Sequence, residues 1–174
     1  LAFAGCGKAD KEGAAAGKQK ILDACEGHDV IAIGPGLSMN AQTQQMLTQL
    51  LPEMELPMVL DADALNCIAK HLAILPKLAR DRGLPVLTPH PGEMRRLTGL
   101  GMDEILARRL ETAREGAARW NKTVLLKGPH TVVSRATDAL GHGDSYTYVS
   151  SSGANNVGND YQGTEAVAAT CATM

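Results

Sequence analysis

DVIAIGPGLSMN, residues 29–40, decides how the rest of the sequence is read. Residues 29–33 are short, apolar and β-branched. They stop at Gly34, Pro35 and Gly36, the pattern of a buried strand ending in a tight loop. Ser38 or Asn40 then caps a helix carrying Met46, Leu47, Leu50 and Leu51. The same unit recurs downstream. PMVL at 57–60 predicts a second buried strand, followed by Asp61, Ala62 and Asp63 and a helical stretch through Leu65 and Ile68. A third strand at 85–88 runs into His90, Pro91, Gly92 and Glu93, where another helix begins. Residues 103–120 predict one long helix with Leu106, Leu110, Ala113, Ala117 and Trp120 along one face, and a fourth strand follows at 123–127.

Strands that alternate with helices and read as continuous apolar runs predict a mostly parallel sheet with helices on both faces, a three-layer α/β/α fold. Segments 131–134 and 146–149, separated by a Gly- and Asp-containing turn region at 138–144, predict an antiparallel hairpin at the sheet edge. Residues 1–18 read as a loop or frayed segment leading into a short helix that includes Ile21 and Leu22. No internal repeat or linker splits the chain, and 174 residues suit one domain with its own core. The opening on Leu1 and the ending at Met174 within an Ala- and Thr-rich run read as cut ends.

Hydrophobic residues at 44% and charged residues at 21% are those of a globular chain, while aromatics at 3% leave the core to Leu, Val, Ile, Ala and Met. Seventeen basic and nineteen acidic residues give a net charge of −2 without a long basic run, which excludes phosphate-backbone attraction and hence nucleic acid as a partner. No apolar stretch approaches the roughly 20 residues a bilayer requires, so no membrane partner is expected. Cys6, Cys25, Cys67 and Cys171 are scattered without a CxxC pair. That argues against zinc and predicts reduced, mostly buried thiols in a cytoplasmic protein.

In open α/β sheets the ligand sits beyond the carboxyl ends of the strands, so the loops there carry the chemistry. GPGL at 34–37 offers two glycines and helix-start amides that suit an anion, or serves only as a turn. Of Asp61 and Asp63, alternation lets one face the crevice while the other caps the following helix. TPHPGE at 88–93 places an imidazole and a carboxylate at a helix start, in a loop stiffened by two prolines and a glycine. LKGPHT at 126–131 sets Lys127 beside exposed amides, a plausible diphosphate cradle whose spacing is neither a Walker loop nor a GxGxxG turn.

Taken together and in this order, IGPGL, VLDADALN, LTPHPGE and VLLKGPHTVV resemble the C-terminal half of the ADP-dependent NAD(P)H-hydrate dehydratases, a branch of the ribokinase-like superfamily, over roughly residues 28–153. LTPHPGE is the most specific element. The resemblance implies a single, partial ribokinase-like nucleotide-binding domain over 1–174. It implies ADP-dependent dehydration of hydrated NADH or NADPH to give NAD(P)H, AMP and phosphate. Gly34, Gly36, Asp63, Asn66, His90 and Glu93 would bind the hydrated substrate, and Glu93 would also organise magnesium. Lys127, Gly128, Pro129, His130 and Thr131, with Gly163, would cradle the ADP or ATP. The implied partners are the NAD(P)H hydrate, the adenine nucleotide and Mg2+, with homo-oligomer formation left open.

The family's GGTGD-like segment, whose aspartate is the catalytic base, has no clean counterpart in SGANNVGNDYQGTEAVAA at 152–169. Glu165 and Asp160 are the candidate bases. A small-molecule kinase of the same fold, of the vitamin or hydroxyethylthiazole type, and a non-catalytic nucleotide-binding remnant are the alternatives.

Overall fold

The computed structural model describes residues 2–4, 13–78, 85–129 and 131–136. Among the described residues the sheet has six strands: β1 (Ala2–Ala4), β2 (Ile31–Ile33), β3 (Met58–Leu60), β4 (Val86–Leu87), β5 (Thr123–Leu126) and β6 (Val132–Arg135). Their order across the sheet is their order in the chain. β1 to β5 run parallel, and β6 turns back antiparallel onto β5 with Leu126 opposite Val132. The segment at 131–134 therefore does form an antiparallel strand, at the edge of the described sheet and paired with β5. Residues 146–149, its expected partner, lie outside the described residues.

Between the strands run α1 (Gly13–Ala24), α2 (Ala41–Glu53), α3 (Ala62–Lys70), a 3-10 turn over Leu72–Lys77, α4 (Pro91–Thr98), α5 (Met102–Ala107) and α6 (Arg109–Trp120). Each crossover steps one strand further in the same direction, and the right-handed rule then drops every helix on the same face. Ile31, Ile33, Met58, Leu60, Leu87, Val124 and Leu126 point to that face. They are buried in one cluster with Leu47 and Leu50 of α2, Leu65 and Ile68 of α3, Met94 of α4 and Ala113 of α6. The alternate positions Ala32, Val59, Val86 and Leu125 are only half-buried. The described helices thus cover one face of the sheet, where the sequence led to an expectation of helices on both.

Two sequence expectations change. The opening residues are not all loop: Ala2–Ala4 form an edge strand, because pairing with Ile31, Ala32 and Ile33 decides it rather than local pattern. The long helix expected over 103–120 is two helices. Arg108 leaves helical geometry at φ −127°, ψ 47°, and the break resets the phase. Ile105 is therefore buried while Leu106, expected on the apolar face, is 50% exposed. Ala113, Ala117 and Trp120 do line the core face of α6. Trp120 lies over Gly116, where a Cβ would stand 2.9 Å from the indole and 3.0 Å from Met94 Cε.

Of the two expected caps for α2, Asn40 is the one used. Its Oδ1 accepts the Thr43 N–H at 2.8 Å, while Ser38 turns the chain at φ 72°. Among the described residues no helix is long and apolar enough to cross a membrane.

Candidate active site

The strand ends are laced together past the strands themselves. Asp61 N–H donates to Ile33 O at 3.0 Å, Thr88 N–H to Leu60 O at 3.0 Å, and Lys127 N–H to Pro89 O at 2.8 Å. Gly34 makes the first of these approaches possible: it sits at φ +142°, and a Cβ there would run into the Asp61 carbonyl. Gly36, at φ +77°, faces open space. A cleft of ≈ 330 Å³ opens beside these ends, lined by Ala32, Ile33, Pro35, Val59, Asp61, Thr88, Leu125 and Lys127. Its floor is the half-buried face of β2, β3 and β5, and its polar rim is Asp61, Thr88 and Lys127.

Lys127 is the centre of the rim. Its Nζ stands 2.5 Å from Asp61 Oδ1 and 4.0 Å from Glu93 Oε2, so one ammonium serves two carboxylates. Partial burial pushes the Asp61 carboxyl up. The hydrogen bond and charge of Lys127, helped by the Ala62 N–H and the Thr88 hydroxyl, outweigh it and hold the group below the usual carboxylate range. Asp61 occupies the N-cap position of α3 without a side-chain cap bond. Of the two aspartates it is Asp61 that stands at the rim; Asp63, the one the resemblance implies in substrate binding, accepts the Ser38 N–H on Oδ2 at 2.8 Å and fixes the loop after β2.

His90 and Glu93 close a capping box at the start of α4. His90 Nδ1 accepts the N–H groups of Gly92 at 2.9 Å and Glu93 at 3.3 Å, and Glu93 Oε2 accepts the His90 N–H at 2.8 Å. His90 Nε2 lies 3.3 Å from Glu93 Oε1, and the Glu93 side chain is only 5% exposed. Both Glu93 oxygens are thus engaged within the helix start, which fits a residue that holds Lys127 and the loop better than a direct magnesium ligand. Among the described residues no three His, Cys, Asp or Glu side chains are grouped to hold a metal ion.

Asn66, on α3, is not among the residues that line the cleft; its Oδ1 accepts Arg96 Nη1 at 3.2 Å. In the loop after β5, Gly128 and Pro129 are exposed and the Thr131 hydroxyl donates to Gly128 O at 3.2 Å. His130, Asp160, Gly163 and Glu165 lie outside the described residues. The structure therefore brings Gly34, Asp61, Glu93 and Lys127 together. Two participants were missed. Thr88 was quoted only as part of its motif, although its hydroxyl donates to Leu60 O at 3.2 Å beside Asp61. Arg109 gave no local signal, being one of several arginines on a helix; its Nη2 donates to Leu126 O at 3.1 Å and Lys127 O at 3.2 Å.

Residues 8–154 match the NAD(P)H-hydrate dehydratase family. The chain belongs to that family. The bifunctional NAD(P)H-hydrate repair enzyme Nnr of Moorella thermoacetica is 47% identical over 106 residues, covering 61% of this chain and 19% of that protein. The ADP-dependent (S)-NAD(P)H-hydrate dehydratase of Bacillus subtilis is 38% identical over 120 residues, covering 68% of this chain and 40% of that protein. This member of the family thus spans less than half the length of either relative. Among solved structures, the Bacillus subtilis ADP/ATP-dependent NAD(P)H-hydrate dehydratase co-crystallised with ATP/Mg2+ is 37% identical at a TM-score of 0.50, covering 67% of this chain and 40% of that one. A ribokinase-like superfamily protein from Enterococcus faecalis, 25% identical, superposes at a TM-score of 0.57 over 70% of this chain and 41% of that one. The fold is ribokinase-like, and the matched region reaches further toward the amino terminus than the four motifs alone.

Proposed function

We propose that this chain carries out, as part of a dehydratase, the ADP-dependent dehydration of NAD(P)H hydrates to NAD(P)H, AMP and phosphate. The observation that carries the reading is the meeting of Asp61, Glu93 and Lys127 at the carboxyl ends of β3, β4 and β5, beside an apolar-floored cleft. Family membership supports it, as does the co-crystallisation of the Bacillus subtilis relative with ATP/Mg2+.

A hydrate loses water slowly because hydroxide is a poor leaving group. Passing the terminal phosphoryl group of ADP to that hydroxyl leaves AMP, and elimination then expels phosphate while the neighbouring ring carbon gives up a proton to solvent, its C–H electrons forming the restored double bond. Lys127 meets the phosphoryl oxygens, releasing part of its hold on Asp61 as the anion arrives. Glu93, buried and fixed by His90, keeps Lys127 in place. Asp61, the partly exposed carboxylate of the rim, would hold the magnesium that accompanies the nucleotide, which would supply neutralisation of phosphate charge there. Asp160 or Glu165 serves as the base that takes the hydroxyl proton. Buried thiols support a reducing, cytoplasmic setting: burial raises Cys25, and it pushes Cys67 to about 11 against the smaller pull of Lys70.

Thermal unfolding with and without ADP and magnesium tests the nucleotide site, since ligand at 100 times its dissociation constant adds about 2.7 kcal/mol. Release of NADH from hydrated NADH, followed at its absorbance, tests turnover. A chain that binds nucleotide without turnover is the second reading, and the lack of a clean GGTGD-like segment in 152–169 favours it. Binding without NADH release would select that reading; no binding would sink both.

A further inference from the structure

We propose that Arg109 is the positioning residue that sets the shape of the nucleotide loop after β5, an inference resting on the adenine-nucleotide reading of that loop. Arg109 opens α6 on the helical layer, and its guanidinium reaches over the end of β5. There Nη2 donates to two successive carbonyls, Leu126 O at 3.1 Å and Lys127 O at 3.2 Å. The next carbonyl, that of Gly128, accepts the Thr131 hydroxyl at 3.2 Å. Three consecutive carbonyl oxygens are thus taken up by the protein's own donors, and none is left to turn its negative end on an incoming phosphate.

Gly128 is shaped to this arrangement. A Cβ there would stand 2.5 Å from Arg109 Nη2 and 2.9 Å from its Cζ. Its glycine is thereby explained by the guanidinium packed on it. Charge points the same way. Lys127 already faces Asp61 and Glu93, so the rim without Arg109 carries one more negative charge than positive, and Arg109 brings it to balance before an anion arrives.

Calorimetric titration of ADP with magnesium into the whole chain, its Arg109→Ala, Arg109→Lys and Gly128→Ala variants and the Arg109→Ala/Gly128→Ala double variant tests the assignment. Hydrogen exchange of the ligand-free proteins is read alongside. Arg109→Ala is expected to weaken ADP at least about tenfold, the loss of two charge-assisted hydrogen bonds. It should speed exchange at the amides of residues 127, 128, 130 and 131 while those of β5 stay protected, and Arg109→Lys should recover part of both. Gly128→Ala, which crowds the guanidinium off its carbonyls, should mimic Arg109→Ala, and the double variant should be no weaker than Arg109→Ala. Equal ADP affinity in Arg109→Ala, unchanged exchange at 127–131, or additive losses in the double variant would each overturn the assignment. If the wild-type chain binds no ADP, the nucleotide reading fails by itself, and the exchange pattern decides whether Arg109 orders the loop. If Arg109→Ala does not fold, Gly128→Ala carries the test, since it retains the arginine.

Discussion

Lys127 and Asp61 meet across β4: the ammonium at the end of β5 lies 2.5 Å from the carboxylate at the end of β3, with the intervening strand beneath them. Removing the ammonium should therefore damage both the nucleotide site and the strand ends. Lys127→Met is expected to weaken ADP binding by about ten- to a hundredfold, the range for hydrogen bonds to charged groups, while Arg96→Met leaves it unchanged. Titration calorimetry on both variants checks this.

The same pair fixes how Asp61 titrates. Its folded carboxyl lies below the ordinary value of 3.8, so the pair's stabilisation is present above that pH and is lost as pH falls through the lower, folded value. Carbon-detected NMR should place the Asp61 midpoint below 3.8 in the wild-type chain. In Lys127→Met the midpoint should rise, because burial remains while its main opponent is gone. An unmoved midpoint would contradict the pairing.

Gly34 and Gly36 separate space from backbone strain. Gly34→Ala drives a methyl into the Asp61 carbonyl and should cost at least about 3 kcal/mol in urea unfolding. Gly36→Ala meets nothing and suffers only its left-handed φ, about 1 kcal/mol. Equal costs would show that the β2 and β3 ends do not approach as closely as described.

His90 acts through the helix it caps. His90→Ala should cost about 1 kcal/mol of stability and lower turnover through Glu93, whereas His90→Asn, able to cap, should restore most of both. If asparagine restores stability but not turnover, the imidazole itself touches substrate.

The helix break at Arg108 gives a packing test. Ile105→Ala should cost roughly 2 to 5 kcal/mol, and Leu106→Ala no more than about 0.5 kcal/mol, in denaturant unfolding.

Four strands and the loops beyond them were legible because buried parallel strands announce themselves as short continuous apolar runs, stopped here at Gly34, Asp61, Pro89 and Gly128. β1 was not: AFA has no pattern of its own and becomes a strand only by lying against IAI. The break at Arg108 was hidden because Leu106 and Leu110 continue a helical period that the chain does not follow. At the site, motifs gave Glu93 and Lys127 but not their geometry, and between Asp61 and Asp63 the resemblance pointed to Asp63, whereas Asp61 is the one that meets Lys127. His90 looked like a ligand because an imidazole at a helix start reads alike whether it caps the helix or meets a substrate. Arg109 was illegible for a plainer reason: its partners are main-chain carbonyls seventeen and eighteen residues away, and no side-chain motif encodes them.

The sheet's strand order also shapes how the molecule comes into being. Among the described residues each strand pairs with the one made just before it, so each of these parallel contacts closes a loop no longer than one crossover, and the entropy of closure is met in small steps. A chain emerging from the ribosome can therefore add strands one at a time onto an edge already formed. A doubly wound sheet cannot grow this way, since its first strand ends in the middle and must wait for neighbours from the far half of the chain.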